Sequence, residues 1–267
     1  MDSGVHVEMP TATEEAGTSG ALAVRNLAHA YFGRIVLDRI DLRVAASEVV
    51  ALVGPSGCGK STFAHIAAGI VTPTRGRVDR FYRRQGMVFQ DPRLLPWATA
   101  RENIAYPLRV MGRPRGERRD KAEDAAARAA FPRSDLDKYP VELSGGMRQR
   151  VAIARALAVD PDFVYFDEPF TALDVALRRR MQDLVVAAAR AAHFGALFIT
   201  HDLMEAFRIA HRIVVMDAKG RGILGERGIP GEPGARDDGE LFRLVAHCLG
   251  EDPIFRHIHD VDERRAS

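Results

Sequence analysis

Gly54-Pro55-Ser56-Gly57-Cys58-Gly59-Lys60-Ser61-Thr62 follows a five-residue apolar run, Val49-Val50-Ala51-Leu52-Val53, and precedes helical patterning over residues 60–68. The run reads as a fully buried strand, and Gly69 as the stop of the helix. Strand, glycine-rich loop and helix follow each other in the order a phosphate site needs. The Gly-x-x-x-x-Gly-Lys-Ser/Thr spacing lets backbone N–H groups turn inward around an anion, and a helix starting at Lys60 adds the positive end of its dipole. Gly54, Pro55, Ser56, Gly57, Cys58, Gly59, Lys60, Ser61 and Thr62 are therefore the expected binding loop. Within it Lys60 is placed to reach the β- and γ-phosphates and Ser61 to ligate Mg²⁺, while Cys58 reads as a small space-filling residue.

Upstream, residues 22–29 and 36–44 alternate apolar and polar side chains as half-buried strands do, and suggest an antiparallel lobe beside the buried strand. Downstream of Gln90 the composition turns helical, with Ala- and Arg-rich stretches at 101–111, 116–131 and 144–159. These read as an inserted helical lobe over about 91–160. Buried-strand character returns at 163–166 and 196–200, separated by a helical stretch at 175–192, so a parallel sheet resumes. The order implies one α/β core, interrupted once. Residues 1–20 contain no Lys or Arg and are expected to form a disordered arm rather than a signal peptide. Residues 21–250 are expected to form the main domain. The segment after Gly225 reads as a loop-rich connection and residues 251–267 as a frayed charged tail.

A second constellation is Phe163-Val164-Tyr165-Phe166-Asp167-Glu168, a buried strand that ends in two adjacent carboxylates where a parallel sheet presents groups to a ligand. Neighbouring side chains on a strand point opposite ways, which suits a division of labour. Asp167 is expected to hold Mg²⁺ through water, and Glu168 to polarise an attacking water. A third is Leu143-Ser144-Gly145-Gly146-Met147-Arg148-Gln149-Arg150. Ser144, Gly145 and Gly146 at a helix start form another anion-binding terminus, which one active site does not require and which implies a second chain.

With these three motifs in order the chain resembles the ABC ATPase family, whose Leu-Ser-Gly-Gly-Gln signature is matched with Met147 in place of Gln. The resemblance runs from Leu22 to about Leu224. It implies an α/β P-loop NTPase fold with a RecA-like parallel-sheet core, an antiparallel β lobe and an inserted helical subdomain. It also implies ATP and Mg²⁺ bound between two head-to-tail subunits. On the family pattern Tyr31 is the aromatic that stacks on adenine, Gln90 contacts Mg²⁺ and the water, Asp174 belongs to the D-loop Thr171-Ala172-Leu173-Asp174, and His201 reads the γ-phosphate. Glu168, His201 and Gln90 are then the catalytic set, with Ser61, Gln90 and Asp167 toward the metal. Two departures stand out: Ser47 replaces the usual Gly before the phosphate-loop strand, and the connection from Gly76 to Gln90 is shorter than the family's hairpin there.

Residues 90–97, Gln90-Asp91-Pro92-Arg93-Leu94-Leu95-Pro96-Trp97, are similar to the segment after the Q-loop in importers of the nitrate, sulfonate and taurine group. The resemblance implies a homodimer on the cytoplasmic face of the cell membrane, peripheral to permease subunits that touch this segment, with a solute-binding protein in the same system. Trp97, the only tryptophan, reads either as an interface anchor or as packing under the helical lobe. An ATPase of a lipid-transport or envelope complex is the alternative within the family. A chromatin or repair ATPase would need a coiled-coil arm, and roughly ninety residues between phosphate loop and signature are too few for one. A binding-only regulator is disfavoured by Glu168 and His201.

The bulk numbers fit. The 38 basic and 36 acidic residues nearly cancel, which leaves no electrostatic footprint for nucleic acid. Cys58 and Cys248 match no metal spacing. No apolar run approaches the roughly 18 residues of a membrane-spanning helix.

Overall fold

A computed structural model describes residues 22–171 and 173–255. The expected arm at 1–20, D-loop residue Ala172 and residues 256–267 of the expected tail lie outside the described residues. Strands β1 (Leu22–Tyr31), β2 (Arg34–Val44) and β4 (Arg75–Arg80) form an antiparallel sheet in the order β2-β1-β4. A second sheet runs β5 (Gln85–Val88), β6 (Phe163–Asp167), β7 (Gly195–Ile199), β3 (Val49–Val53), β8 (Arg212–Met216) and β9 (Ile223–Gly228), parallel except for β9.

Strands β3, β6 and β7 are buried at every position, and both of their faces are used. Val49, Ala51, Val53, Val164, Phe166, Ala196 and Phe198 point into one apolar layer. Val50, Leu52, Phe163, Tyr165, Leu197 and Ile199 point into another. The period-two alternation of a strand divides each continuous hydrophobic run between two layers, one on each face of the single α/β sheet expected from the sequence. Helix α1 (Lys60–Ala67) and the antiparallel sheet cover one face. Helices α2 (Ala100–Val110), α3 (Arg115–Arg128), α4 (Gly145–Leu157), α5 (Val175–Ala192), α6 (Leu203–Ile209) and α7 (Asp238–Glu251) contribute to the other.

Local chemistry sets the element ends. Thr99 and Glu102 form a reciprocal capping box at α2, and the side chains of Ser144, Asp174, Asp202 and Asp237 cap α4, α5, α6 and α7. Ser47 sits at φ 59° in the turn before β3, a left-handed position that favours glycine, and its hydroxyl donates to the His193 carbonyl at 2.8 Å. The short connection after Gly76 is no hairpin, because β4 and β5 belong to different sheets and residues 81–84 carry the chain between them.

Two expectations for the C-terminal part are corrected. The connection after Gly225 contains β9 and the fourteen-residue α7. Residues 252–255 are not frayed: Arg227 grips Asp252 through two guanidinium nitrogens at 2.6 and 3.1 Å, and Phe255 is fully buried against Phe207 of α6. No helix among the described residues is long and apolar enough to cross a membrane.

Candidate active site

The loop after β3 wraps the start of α1. Gly59 takes φ 103°, and a Cβ there would stand 2.8 Å from Leu37 of β2, so close approach and backbone angle both demand glycine. Gly54 and Pro55 are buried, while Ser56 and Gly57 are exposed at the tip. Cys58 is buried with its Sγ against Gly54, and burial pushes its thiol up, as suits a space filler. Lys60 is nearly buried, and its ammonium donates to the carbonyls of Gly54 at 2.7 Å and Pro55 at 3.0 Å. Thr62 is half-buried in the first turn of α1.

Strand order gathers the remaining groups. β5, β6, β7 and β3 are neighbours, and their C-terminal ends carry Gln90, Asp167 with Glu168, His201 and the phosphate loop. Ser61 Oγ donates to Asp167 Oδ1 at 2.8 Å. Asp167 is 3% exposed and pairs with no Lys or Arg among the described residues, and burial raises its carboxyl above the usual range. Its other oxygen lies 3.6 Å from Nε2 of His65. Glu168 is held at φ 44°, its N–H donating to the Ile199 carbonyl at 2.9 Å. Its Oε2 meets Gln90 Nε2 at 3.4 Å and His201 Nδ1 at 3.3 Å.

His65 was not singled out in the sequence. Four residues after Ser61, it lies on the same face of α1, and that spacing is the signal that finds it. Its ring packs against Phe89, the residue before Gln90, at 5.7 Å. The grip on the Q-loop was also missed. Arg155 of α4 donates to the carbonyls of Pro92 at 2.7 Å and Arg93 at 3.0 Å, and Gln149 to that of Phe89 at 3.5 Å.

Other expected site residues stand apart. Tyr31 ends β1 at the hairpin, half-exposed and edge-on to the His29 ring at 4.5 Å. Ser144 is exposed and caps α4 by accepting from the Met147 N–H at 3.2 Å. Gly145 follows it, and a Cβ at Gly146 would lie 2.9 Å from Leu177 and 3.2 Å from Leu173, so glycine is needed for α4 to pack on the start of α5. Asp174 caps α5 through the Leu177 N–H at 2.9 Å. Among the described residues, the side chains of Ser144 and Asp174 bond only to their own helix starts.

Trp97 is 74% exposed, which excludes packing under the helical lobe. It lines a cleft of about 840 Å³ with Tyr106, Arg109, Arg115 and Arg118. Arg101 beside them is tied to Glu123 and Asp137, whereas Nε of Arg118 is buried with no hydrogen-bond partner among the described residues.

The sequence model of the ABC transporter family matches residues 37–171. The chain is 41% identical over 226 residues to the taurine import ATP-binding protein TauB of Mesorhizobium japonicum, covering 82% of this chain and 86% of that one. It is 43% identical over 210 residues to the aliphatic sulfonates import ATP-binding protein SsuB 3 of Paraburkholderia xenovorans, covering 78% and 82%. Among solved structures, the dimeric post-hydrolysis state of the ATP-binding cassette MJ0796 bound to ADP and Pi is similar with a TM-score of 0.73 at 29% identity. That match covers 79% of this chain and 99% of the cassette. Phosphate loop, acidic strand end and signature helix thus occur in a fold, and among relatives, of one kind: the chain belongs to the ABC transporter family, as one of its ATP-hydrolysing subunits.

Proposed function

We propose that this subunit energises a bacterial importer of small sulfonates or related anions, working as a homodimer beneath two permease subunits and fed by a solute-binding protein. The observation that carries the ATPase chemistry is the meeting of Ser61, Asp167, Gln90, Glu168 and His201 at the ends of four neighbouring strands. The importer reading is supported by the relatives named for taurine and sulfonate import, which leave a lipid or envelope role without support.

In this reading the N–H groups of residues 54–62 and the start of α1 hold the phosphates, with Lys60 beside them and Tyr31 toward the base. The donors suit Mg²⁺: hydroxyl, amide and carboxylate oxygens are hard ligands, and the buried Asp167 carboxylate meets only the Ser61 hydroxyl and the His65 ring among the described residues. Ser61 and Gln90 would hold the ion directly and Asp167 through water, and when bound it neutralises charge on the phosphate oxygens. Glu168 orients a water and draws on its proton, while Gln90 and His201 fix the carboxylate. Ser144, Gly145, Gly146 and Asp174 serve the site of the partner subunit, a role supported by the dimeric cassette and by Ser144 and Asp174 bonding only to their own helix starts among the described residues. The cleft beside Trp97 receives the permease at the cytoplasmic face of the membrane, the exposed indole supplying the anchor.

Shared sites are tested by mixing tagged chains in a Glu168→Gln background and co-purifying them with ATP. Lys60→Ala mixed with Ser144→Arg regenerates one complete site per dimer and should close. Unmutated partner mixed with the double variant leaves every site half damaged and should not. Equal closure of both mixtures would refute the shared site.

A further inference from the structure

We infer that Glu205 is a positioning residue that sets His201 and couples it to α5, the helix capped by Asp174; the inference rests on the assignment of His201 to the hydrolytic site. His201 is about half exposed, and its ring meets only Glu168 at hydrogen-bonding range among the described residues. Its place is therefore set by its backbone, and the residues on either side of it are both held by Glu205.

On one side, the Thr200 hydroxyl donates to Glu205 Oε2 and accepts the Asp202 N–H at 3.1 Å. On the other, Asp202 Oδ1 accepts the Glu205 N–H at 3.1 Å. The second carboxylate oxygen accepts from Gln182 Nε2 of α5 at 3.1 Å. Thr200, Gln182 and Glu205 are 2, 5 and 6% exposed, so these bonds form away from water, where an unmet partner is costly. Packing alone would be met by an apolar side chain of similar volume, yet both oxygens are used, one on Thr200 beside His201 and one on Gln182 of α5.

The α5 side of the link has a spacing of its own. Asp174, Arg178 and Gln182 recur every four residues and share one helix face. Asp174 caps the helix, Arg178 Nη1 lies 3.5 Å from Asp202 Oδ2, and Gln182 reaches Glu205. A shift of the start of α5 is thereby carried by two side chains to the residues flanking the histidine.

Glu205→Gln keeps the shape and, with the Gln182 amide turned over, both bonds, but removes the charge that strengthens them. Single-turnover and steady-state ATP hydrolysis would be measured on the full chain carrying E205Q, H201A, both together, and the exchanged pair Q182E/E205Q. In the exchanged pair the amide donates to the new carboxylate and still accepts from Thr200. The expected pattern is a fall in kcat of about tenfold for E205Q with KM little changed, the worth of the charge that strengthens the two buried bonds. No further fall is expected when E205Q is added to H201A, and the exchanged pair should recover most of the loss. Multiplying losses in the double variant, an effect on KM alone, or no recovery in the exchanged pair would overturn the inference while leaving His201 in the site. Unimpaired hydrolysis by H201A would overturn the assignment of His201 and the inference with it. Should E205Q fail to fold, Q182M removes the same link from the other end and must give the same pattern.

Discussion

Replacing Glu168 by Gln separates chemistry from stability because the structure gives the two very different magnitudes. The carboxylate has two polar neighbours, Gln90 at 3.4 Å and His201 at 3.3 Å, both at the long edge of hydrogen-bonding range. Bonds so long contribute less than about 1 kcal/mol, so the thermal midpoint of the variant should move by only about 2–4 °C. If the carboxylate draws the proton from the attacking water, its loss costs about 3 kcal/mol of barrier, or a fall of about 10²-fold. ATP binding should survive, since the loop at 54–62 and the Ser61–Asp167 bond are untouched. The assay pairs phosphate release at saturating ATP with nucleotide binding and with size analysis, where ATP should hold the variant as a closed dimer. Hydrolysis within a few-fold of the unmutated chain would remove Glu168 from the mechanism. Loss of ATP binding in step with hydrolysis would instead make it a binding group.

Trp97→Ala should leave the midpoint of the isolated chain nearly unchanged, because the indole is 74% exposed, but weaken assembly with the permease by about 2 kcal/mol, roughly 30-fold in Kd. A lowered midpoint with assembly unchanged would refute the anchor role. Asp167→Asn should abolish Mg²⁺-dependent hydrolysis yet stabilise the nucleotide-free fold at neutral pH. The sign follows from burial, which raises the Asp167 carboxyl in the folded state above its unfolded value. The ionised group costs stability above that raised value, and the cost vanishes as pH falls through it toward the ordinary carboxylate range. Denaturant titrations should therefore show an advantage of the variant that shrinks on acidification; an advantage independent of pH would refute the assignment of the cost to Asp167.

What was legible in the chain were elements whose determinants lie within a few residues. Helix α5 spans the residues its pattern marks because Asp174 caps one end and His193, at φ 53°, turns the other. The phosphate loop is legible because its glycine angles, its lysine and its helix start are one local device. Elements with weak local signals were not. β5 has four residues, β9 alternates half-buried with exposed positions, and α7 presents only Leu241 and Val245 as fully buried between its glycines. Phe255 looks like part of a charged tail until Phe207, far back in the chain, is placed beside it.

Residue types and spacing by themselves determined that this chain carries a glycine-rich strand-to-helix loop, an acidic strand end and a second helix that starts at a serine cap followed by two glycines, because loop sterics, alternation and capping act over a few residues. Only the tertiary structure decided that Gln90, Asp167, Glu168 and His201 share one edge with that loop, that His65 lies beside Asp167, and that Glu205 holds Thr200 next to His201. Those outcomes depend on which strands become neighbours. That order is set by burying both faces of a parallel sheet at once, a condition on segments more than a hundred residues apart.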